Sequence, residues 1–184
     1  MEPQPKDLLV LDDPLSQEPE IGRWLAALED ARRRTMRVLE GLSPTLLDWR
    51  SADDESSIGT LLYHLADIEA DWLYVEALEQ PMPPEVAALF ADPTRDAHGQ
   101  LHQVEGASLD EHLQRLDTVR NLLLDGYRRM ELAEFRRVHR FSHYDVTPEY
   151  VLHHLLQHEA EHRSQIGALR AKAERALAEP AESG

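Results

Sequence analysis

Four of the chain's ten histidines fall within residues 153 to 162, in the run HHLLQHEAEH. Neutral imidazole is a metal ligand and a proton carrier near neutral pH, so the spacing of these side chains decides what they can do. On a helix, residues four apart lie on nearly one face. His158 and His162 have that spacing, and both fall on the apolar stripe that Val151, Leu155, Ile166 and Leu169 define. Two imidazoles one turn apart can reach a single cation. Glu159, directly after the first of them, gives the segment an H-E-x-x-H appearance and is a candidate general base. Gln165 lies on the same side as His158. His154 sits on the flank of the stripe one turn earlier, where it is a candidate proton-handling group. His153 points away, toward solvent.

A second segment, SIGTLLYHLADIEADWL, carries His64 on the flank of its own apolar stripe, beside Leu61 and Ile68. Together with the later pair it would supply three imidazoles. Three nitrogen ligands leave a coordination position open for water or substrate, the pattern of a catalytic rather than a structural site. Each histidine has a plainer alternative as a hydrogen-bonded structural residue at the edge of a core. His98, His102, His112 and His139 read most simply as solvated, and Trp24, Trp49 and Trp72 as core. Asp67, Glu69 and Asp71 read either as partners for histidine N–H groups or as a wet helix face.

Four amphipathic helices would position these residues, near 19–41, 57–79, 108–130 and 148–176. Pro19 can open the first and Gly41 close it. Ser43 and Pro44 begin a single short turn. Ser56 or Ser57 can cap the second helix, which must stop before Pro81, Pro83 and Pro84. SLDE at 108–111 is a capping box, and Thr147 with Pro148 starts the fourth helix. Residues 136–146 read as an extended connection. The pattern predicts an all-α fold, a four-helix bundle. The 80–107 loop is the connection expected to carry function or to move. Residues 17–176 form the domain, with loose segments expected at 1–16 and 177–184.

The 184 residues include 35 acidic and 19 basic side chains, a net charge of −16. That balance speaks against nucleic acid and against anionic membrane surfaces. No apolar run reaches the roughly 20 residues that span a bilayer, and the acidic, proline-containing start lacks the features of a signal peptide. A soluble, cytoplasmic protein is expected. With no cysteine in the chain, a thiolate metal site is excluded, and any sulfur chemistry must arrive on a small-molecule substrate.

The segments LLDWR, IGTLLYHLADIEADWL and TPEYVLHHLLQHEAEHRSQI together resemble the DinB/YfiT-like superfamily of metal-dependent four-helix-bundle proteins. The resemblance covers roughly residues 20–175. It implies a divalent metal, with Zn, Ni, Fe, Mn and Cu all acceptable to imidazole, held by His64, His158 and His162. It also implies, for some members, a bacillithiol-type low-molecular-weight thiol as cosubstrate, and a homodimer. The breadth of apolar residues on the first helix points to a dimer as well. Where the family often has HRGQI this chain has Ser164, a position expected to lie off the metal face. The leading expectation is a transferase that activates a thiol, with Arg163, Gln165 and Tyr144 placed to bind the cosubstrate and His143 beside Tyr144 at the mouth. A hydrolase using activated water, with Glu159, His154 or Asp71 as base, and a non-catalytic metal-binding stress-response protein are the alternatives.

Overall fold

The computed structural model describes residues 9–51 and 56–178. The expectations for residues 1–8, for the acidic stretch at 53–55 and for residues 179–184 lie outside the described residues. The chain is mostly helical. α1 spans Pro19–Leu39, α2 Pro44–Leu47, α3 Ile58–Asp71, α4 Pro84–Ala87, α5 Leu109–Arg128, α6 Leu132–Phe135 and α7 Pro148–Ala178. The four long helices pack in pairs: α1 lies along α7 and α3 along α5, and contacts of α3 with α7 and of α1 with α5 close the set. Their apolar stripes meet in one core that includes Ile21, Leu25, Leu28, Leu62, Leu116, Leu123, Leu152 and Ile166. No helix among the described residues is long and apolar enough to cross a membrane.

The start signals act as their chemistry requires. The Ser57 hydroxyl accepts the Thr60 N–H at 3.1 Å, and Thr147 Oγ1 accepts the Tyr150 N–H at 3.1 Å. At α5 the capping box is complete: Ser108 N donates to Glu111 Oε2, and Glu111 N to Ser108 Oγ. Ser43 occupies the cap position of α2, but its hydroxyl meets Thr45 Oγ1 at 2.8 Å instead of a backbone N–H. Gly41 follows α1 with φ +67°, the left-handed conformation that ends helices cheaply only at glycine.

Three features go beyond the helical pattern. α3 runs on into a π-helical turn at Trp72–Ala77, with the Leu78 N–H bonded to Leu73 O. The extended connection forms a two-stranded antiparallel pair, β1 (His139–Arg140) with β2 (Asp145–Val146). The segment before α1 is tied down from Asp13 onward: Arg128 Nε donates to Asp13 Oδ2 at 3.0 Å, and Gln17 N to Arg128 O.

His112 and His139, read from sequence as solvated, are each only 1% exposed. His139 Nδ1 lies 2.7 Å from Glu76 O. His112 sits at the foot of α3, and burial followed by the nearby Arg115 charge pulls its pKa down to about 4. Gly59 allows this close packing: a Cβ there would stand 3.2 Å from His112 Nε2 and 3.3 Å from Asp48 Oδ1. The glycine thus sets the approach of the helix that carries His64.

The long connection between α3 and α5 lies back against α3. Tyr63 Oη donates to Asp92 O, Thr94 Oγ1 donates to Asp67 Oδ2 at 2.6 Å, and Val104 N donates to Thr60 Oγ1. These bonds bring a tight turn at residues 95–101 over the histidines.

Candidate metal centre

His64 from the middle of α3 meets His158 and His162 from α7. His158 Nε2 lies 3.2 Å from His64 Nε2 and 3.0 Å from His162 Nε2. The three ligand atoms all fall within 4.8 Å of one another. Zinc–nitrogen bonds of 2.0–2.1 Å at tetrahedral angles place ligand nitrogens about 3.3 Å apart, so the spacing suits a divalent cation. A proton does not suit it equally well. A ring nitrogen carries one in-plane proton or one lone pair, so His158 Nε2 cannot satisfy two neighbouring Nε2 atoms by hydrogen bonding. A cation takes lone pairs from all three.

The surroundings keep the rings in the ligating state. Burial is the largest cause in each case. It lowers His158 to about 3, helped by the neighbouring His162, His64 and His154, and lowers His64 to about 4, helped by His162 and Arg95. His162 is lowered as well. Neutral imidazoles are what metal binding needs. Gln165 adds orientation: its Oε1 lies 2.8 Å from His162 Nδ1. The Nδ1–H donates to that oxygen, which leaves the Nε2 lone pair aimed at the other two rings. We expect Gln165→Ala to weaken metal affinity about 10- to 100-fold, the usual cost of losing such a partner. A competition titration with a chromogenic chelator measures it, and an unchanged affinity would remove Gln165 from the site.

The triad forms one wall of a cavity of about 680 Å³, lined also by Leu61, Leu169, Gln100, Gln165 and the turn at Gly99. The centre is therefore closed on the core side by helices and open on the other side to a small molecule.

The remaining sequence candidates fall in three places. His154 stacks face to face on Trp72, with centroids 3.8 Å apart, and its ring lies 5.8 Å from that of His158. Tyr144 stacks on the same tryptophan at 6.4 Å and donates its hydroxyl to Glu76 Oε1. That bond, and burial behind it, raise Tyr144 to about 12. Tyr144 and His143 are absent from the cavity lining. Arg163 donates to Ala31 O at 3.4 Å and so faces α1. Ser164 is exposed, in keeping with its expected place off the metal face. His153 is half-buried, edge-on to Trp24 at 6.1 Å, and takes no part in the triad.

Glu159 is placed elsewhere. Its two carboxylate oxygens accept from Arg32 Nε and Arg120 Nη2, each at 2.9 Å. The same two arginines bind Glu69: Arg32 Nη2 at 2.8 Å, and Arg120 Nε at 2.6 Å. All four side chains are buried. The result is a charge-balanced cluster in the core beneath the triad. Sequence reading missed it, although a signal exists: Arg32, Glu69, Arg120 and Glu159 each fall on the apolar phase of their helix, two positive and two negative. The reading also assigned Trp72 to core packing alone, and passed over Arg95 and Lys172, which line the cavity.

A helical fold of this connectivity brings three imidazoles from two helices into a group that could hold a metal ion. The chain belongs to the DinB superfamily, whose family model matches residues 27–166. Among curated proteins, none matches the chain.

Proposed function

We propose that this protein is a metal-dependent enzyme in which the His64–His158–His162 centre activates a low-molecular-weight thiol for attack on an electrophile. The observation that carries the proposal is the convergence of three imidazoles on the wall of an open cavity. A divalent cation held there lowers the pKa of a thiol or water that reaches it. The chain supplies no thiol of its own, having no cysteine, so the sulfur comes with the cosubstrate. Gln165 orients His162, and His154, stacked on Trp72, has its ring 5.8 Å from that of His158. Trp72 begins the π-helical turn, a distortion common at functional sites.

Two alternatives carry less support. Hydrolysis needs a base beside activated water; of the three candidates, Glu159 has both oxygens engaged by arginines, and His154 and Asp71 are absent from the cavity lining. A non-catalytic metal-binding stress-response protein needs no cavity of substrate size beside its metal, whereas one of about 680 Å³ adjoins this triad. The proposal includes a cytoplasmic location and a homodimer. The apolar face of α1 lies inside the chain, with Ile21, Leu25 and Leu28 fully buried, so a dimer would use the exposed Leu9, Val10 and Leu11 instead. A monomer mass by light scattering at micromolar concentration would remove the dimer.

The test of activity is turnover of a generic electrophile by the metal-loaded protein with and without added thiol. Product should form only with both metal and thiol. His154→Ala should lower the rate about 10- to 100-fold while leaving metal content intact, since a group outside the ligand set tunes chemistry more than stoichiometry. Metal-dependent turnover without thiol would sink the transferase reading.

A further inference from the structure

We propose that His139 and Tyr144 are positioning residues for the histidine triad. From the β1–β2 hairpin they grip Glu76, fix the π-helical turn to which it belongs, and so set the Trp72–His154 stack beside His158. The consequence for a bound metal rests on the metal centre proposed above. The grip itself rests on contacts of the chain alone.

The first contact answers a stranded carbonyl. A π-helical turn is a rare form of helix. In helical geometry the Glu76 carbonyl would accept from residue 80 or residue 81. The Gln80 N–H goes to Tyr74 O at 2.8 Å instead. Residue 81 is proline, which has no N–H to give. A buried carbonyl left bare is costly. His139 supplies the donor, with its Nδ1 2.7 Å from Glu76 O. A carbonyl only accepts, so the proton lies on Nδ1.

The second contact holds the other end of the same residue. Tyr144 Oη donates to Glu76 Oε1 at 2.7 Å. That bond, with burial behind it, raises the tyrosine to about 12, so the hydroxyl keeps its proton at neutral pH. Glu76 is buried, so its backbone and its carboxylate are both held by the hairpin. The hairpin is itself fixed. His139 pairs with Val146 and Arg140 with Asp145, the Phe141 N–H closes the turn on Tyr144 O at 3.0 Å, and Val146 packs in the core.

What the turn carries gives the grip its consequence. Trp72 is the first residue of the turn. The Tyr144 ring lies nearly parallel to the indole, with 9° between the planes, and His154 stacks on the same indole at 3.8 Å. The next ring along α7 is His158, 5.8 Å from His154 and inclined to it by 25°. Four rings thus run from the hairpin to the hub of the triad. A ring packed beside a ligand narrows the orientations that the ligand samples, so less freedom is lost when a cation binds.

The experiment uses the full chain in two states. In the metal-free protein, NMR of labelled histidine at one fixed pH reads the ring protons of His154 and His158, whose shifts depend on the indole beside them. With Co²⁺ as the metal, competition against a chromogenic chelator reads affinity. Tyr144→Phe removes only the hydroxyl. His139→Leu removes the donor to Glu76 O, and His139→Asn offers an amide N–H in place of Nδ1–H. Tyr144→Phe and His139→Leu should both move the ring signals toward those of unstacked imidazole. They should also weaken Co²⁺ binding about tenfold, the low end of what losing a group behind a metal ligand costs. His139→Asn should recover most of both readouts, which a role in packing alone would not give. Should His139→Leu fail to fold, Tyr144→Phe decides alone, since that residue is 46% exposed and keeps its ring. Ring signals that stay in place in the folded variants overturn the proposal. So does a Co²⁺ affinity that is unchanged while the signals move, or a His139→Asn protein no better than a folded His139→Leu. If the parent binds no Co²⁺, the metal reading falls and the ring signals alone decide the grip.

Discussion

His158→Ala is expected to abolish stoichiometric metal binding, and His153→Ala to leave it unchanged. The two residues are five apart in one run of α7, so the pair is a sharp control. His158 is the hub: its Nε2 lies 3.2 Å from that of His64 and 3.0 Å from that of His162. Without it two imidazoles remain, too few for a site that must outcompete water, and the remaining pair lies on different helices. His153 faces Trp24 and Tyr150, so its removal costs a ring contact and no ligand. Elemental analysis of the purified variants, with circular dichroism to confirm the helices, gives the answer. Full metal content in His158→Ala would mean that the cation sits somewhere else. Metal should also raise the melting temperature of the parent protein, because a ligand that binds only the folded chain stabilises it by mass action, and a chelator should reverse the gain.

Arg120→Ala should destabilise the fold by about 3 to 5 kcal/mol, the cost of removing one partner from a buried ion cluster. In a chain of this length each kcal/mol lowers the melting temperature by about 2 to 4 °C, so a fall of roughly 6 to 20 °C is expected. The reason lies in what is left behind. Arg120 binds Glu69, Glu159 and Glu29 and donates to Leu28 O. With it gone, Arg32 alone faces two buried carboxylates. Burial by itself would push the Arg120 pKa down, but Glu69, Glu159 and Glu29 together push it up. For Glu159 burial is again the largest single influence and raises the pKa, and the charges of Arg32 and Arg120 outweigh it and hold the carboxyl below its ordinary value. A carboxyl depressed on folding contributes stability that is present above its unfolded pKa of about 4.3 and is lost as pH falls through the lower folded value. Acid unfolding of the parent should therefore steepen below about pH 4, and that component should diminish in Glu159→Gln. Thermal melts across pH 3 to 7 read both effects. A melting temperature unchanged by Arg120→Ala would show that the cluster is dispensable. Because Glu159 directly follows His158, loosening it should also reduce metal affinity, coupling the core charges to the centre above them.

Much was decided by local chemistry that is legible residue by residue. The caps at Ser57, Ser108 and Thr147, the prolines at 19 and 148 and the period of the apolar stripes placed the four long helices, because start signals and amphipathic spacing are properties of short segments. The inward phase of His158 and His162 followed from the same periodicity, which left His64 on the flank of its own stripe, and the absence of cysteine followed from counting. Tertiary structure alone decided the rest, because each point depends on residues far apart in sequence. Arg32, Glu69, Arg120 and Glu159 come from four different helices, so no local window shows that they neutralise one another, and Glu159 read by itself beside His158 looks like a base. His112 and His139 are polar and each has a charged neighbour, Glu111 and Arg140, yet they are buried because α3 and its π-helical turn lie against them. The turn that carries Arg95 reaches the cavity only because Tyr63, Asp67 and Thr60 bind the connection down onto α3. Helical phase tells which way a side chain points; which partner it meets is settled when the helices pack.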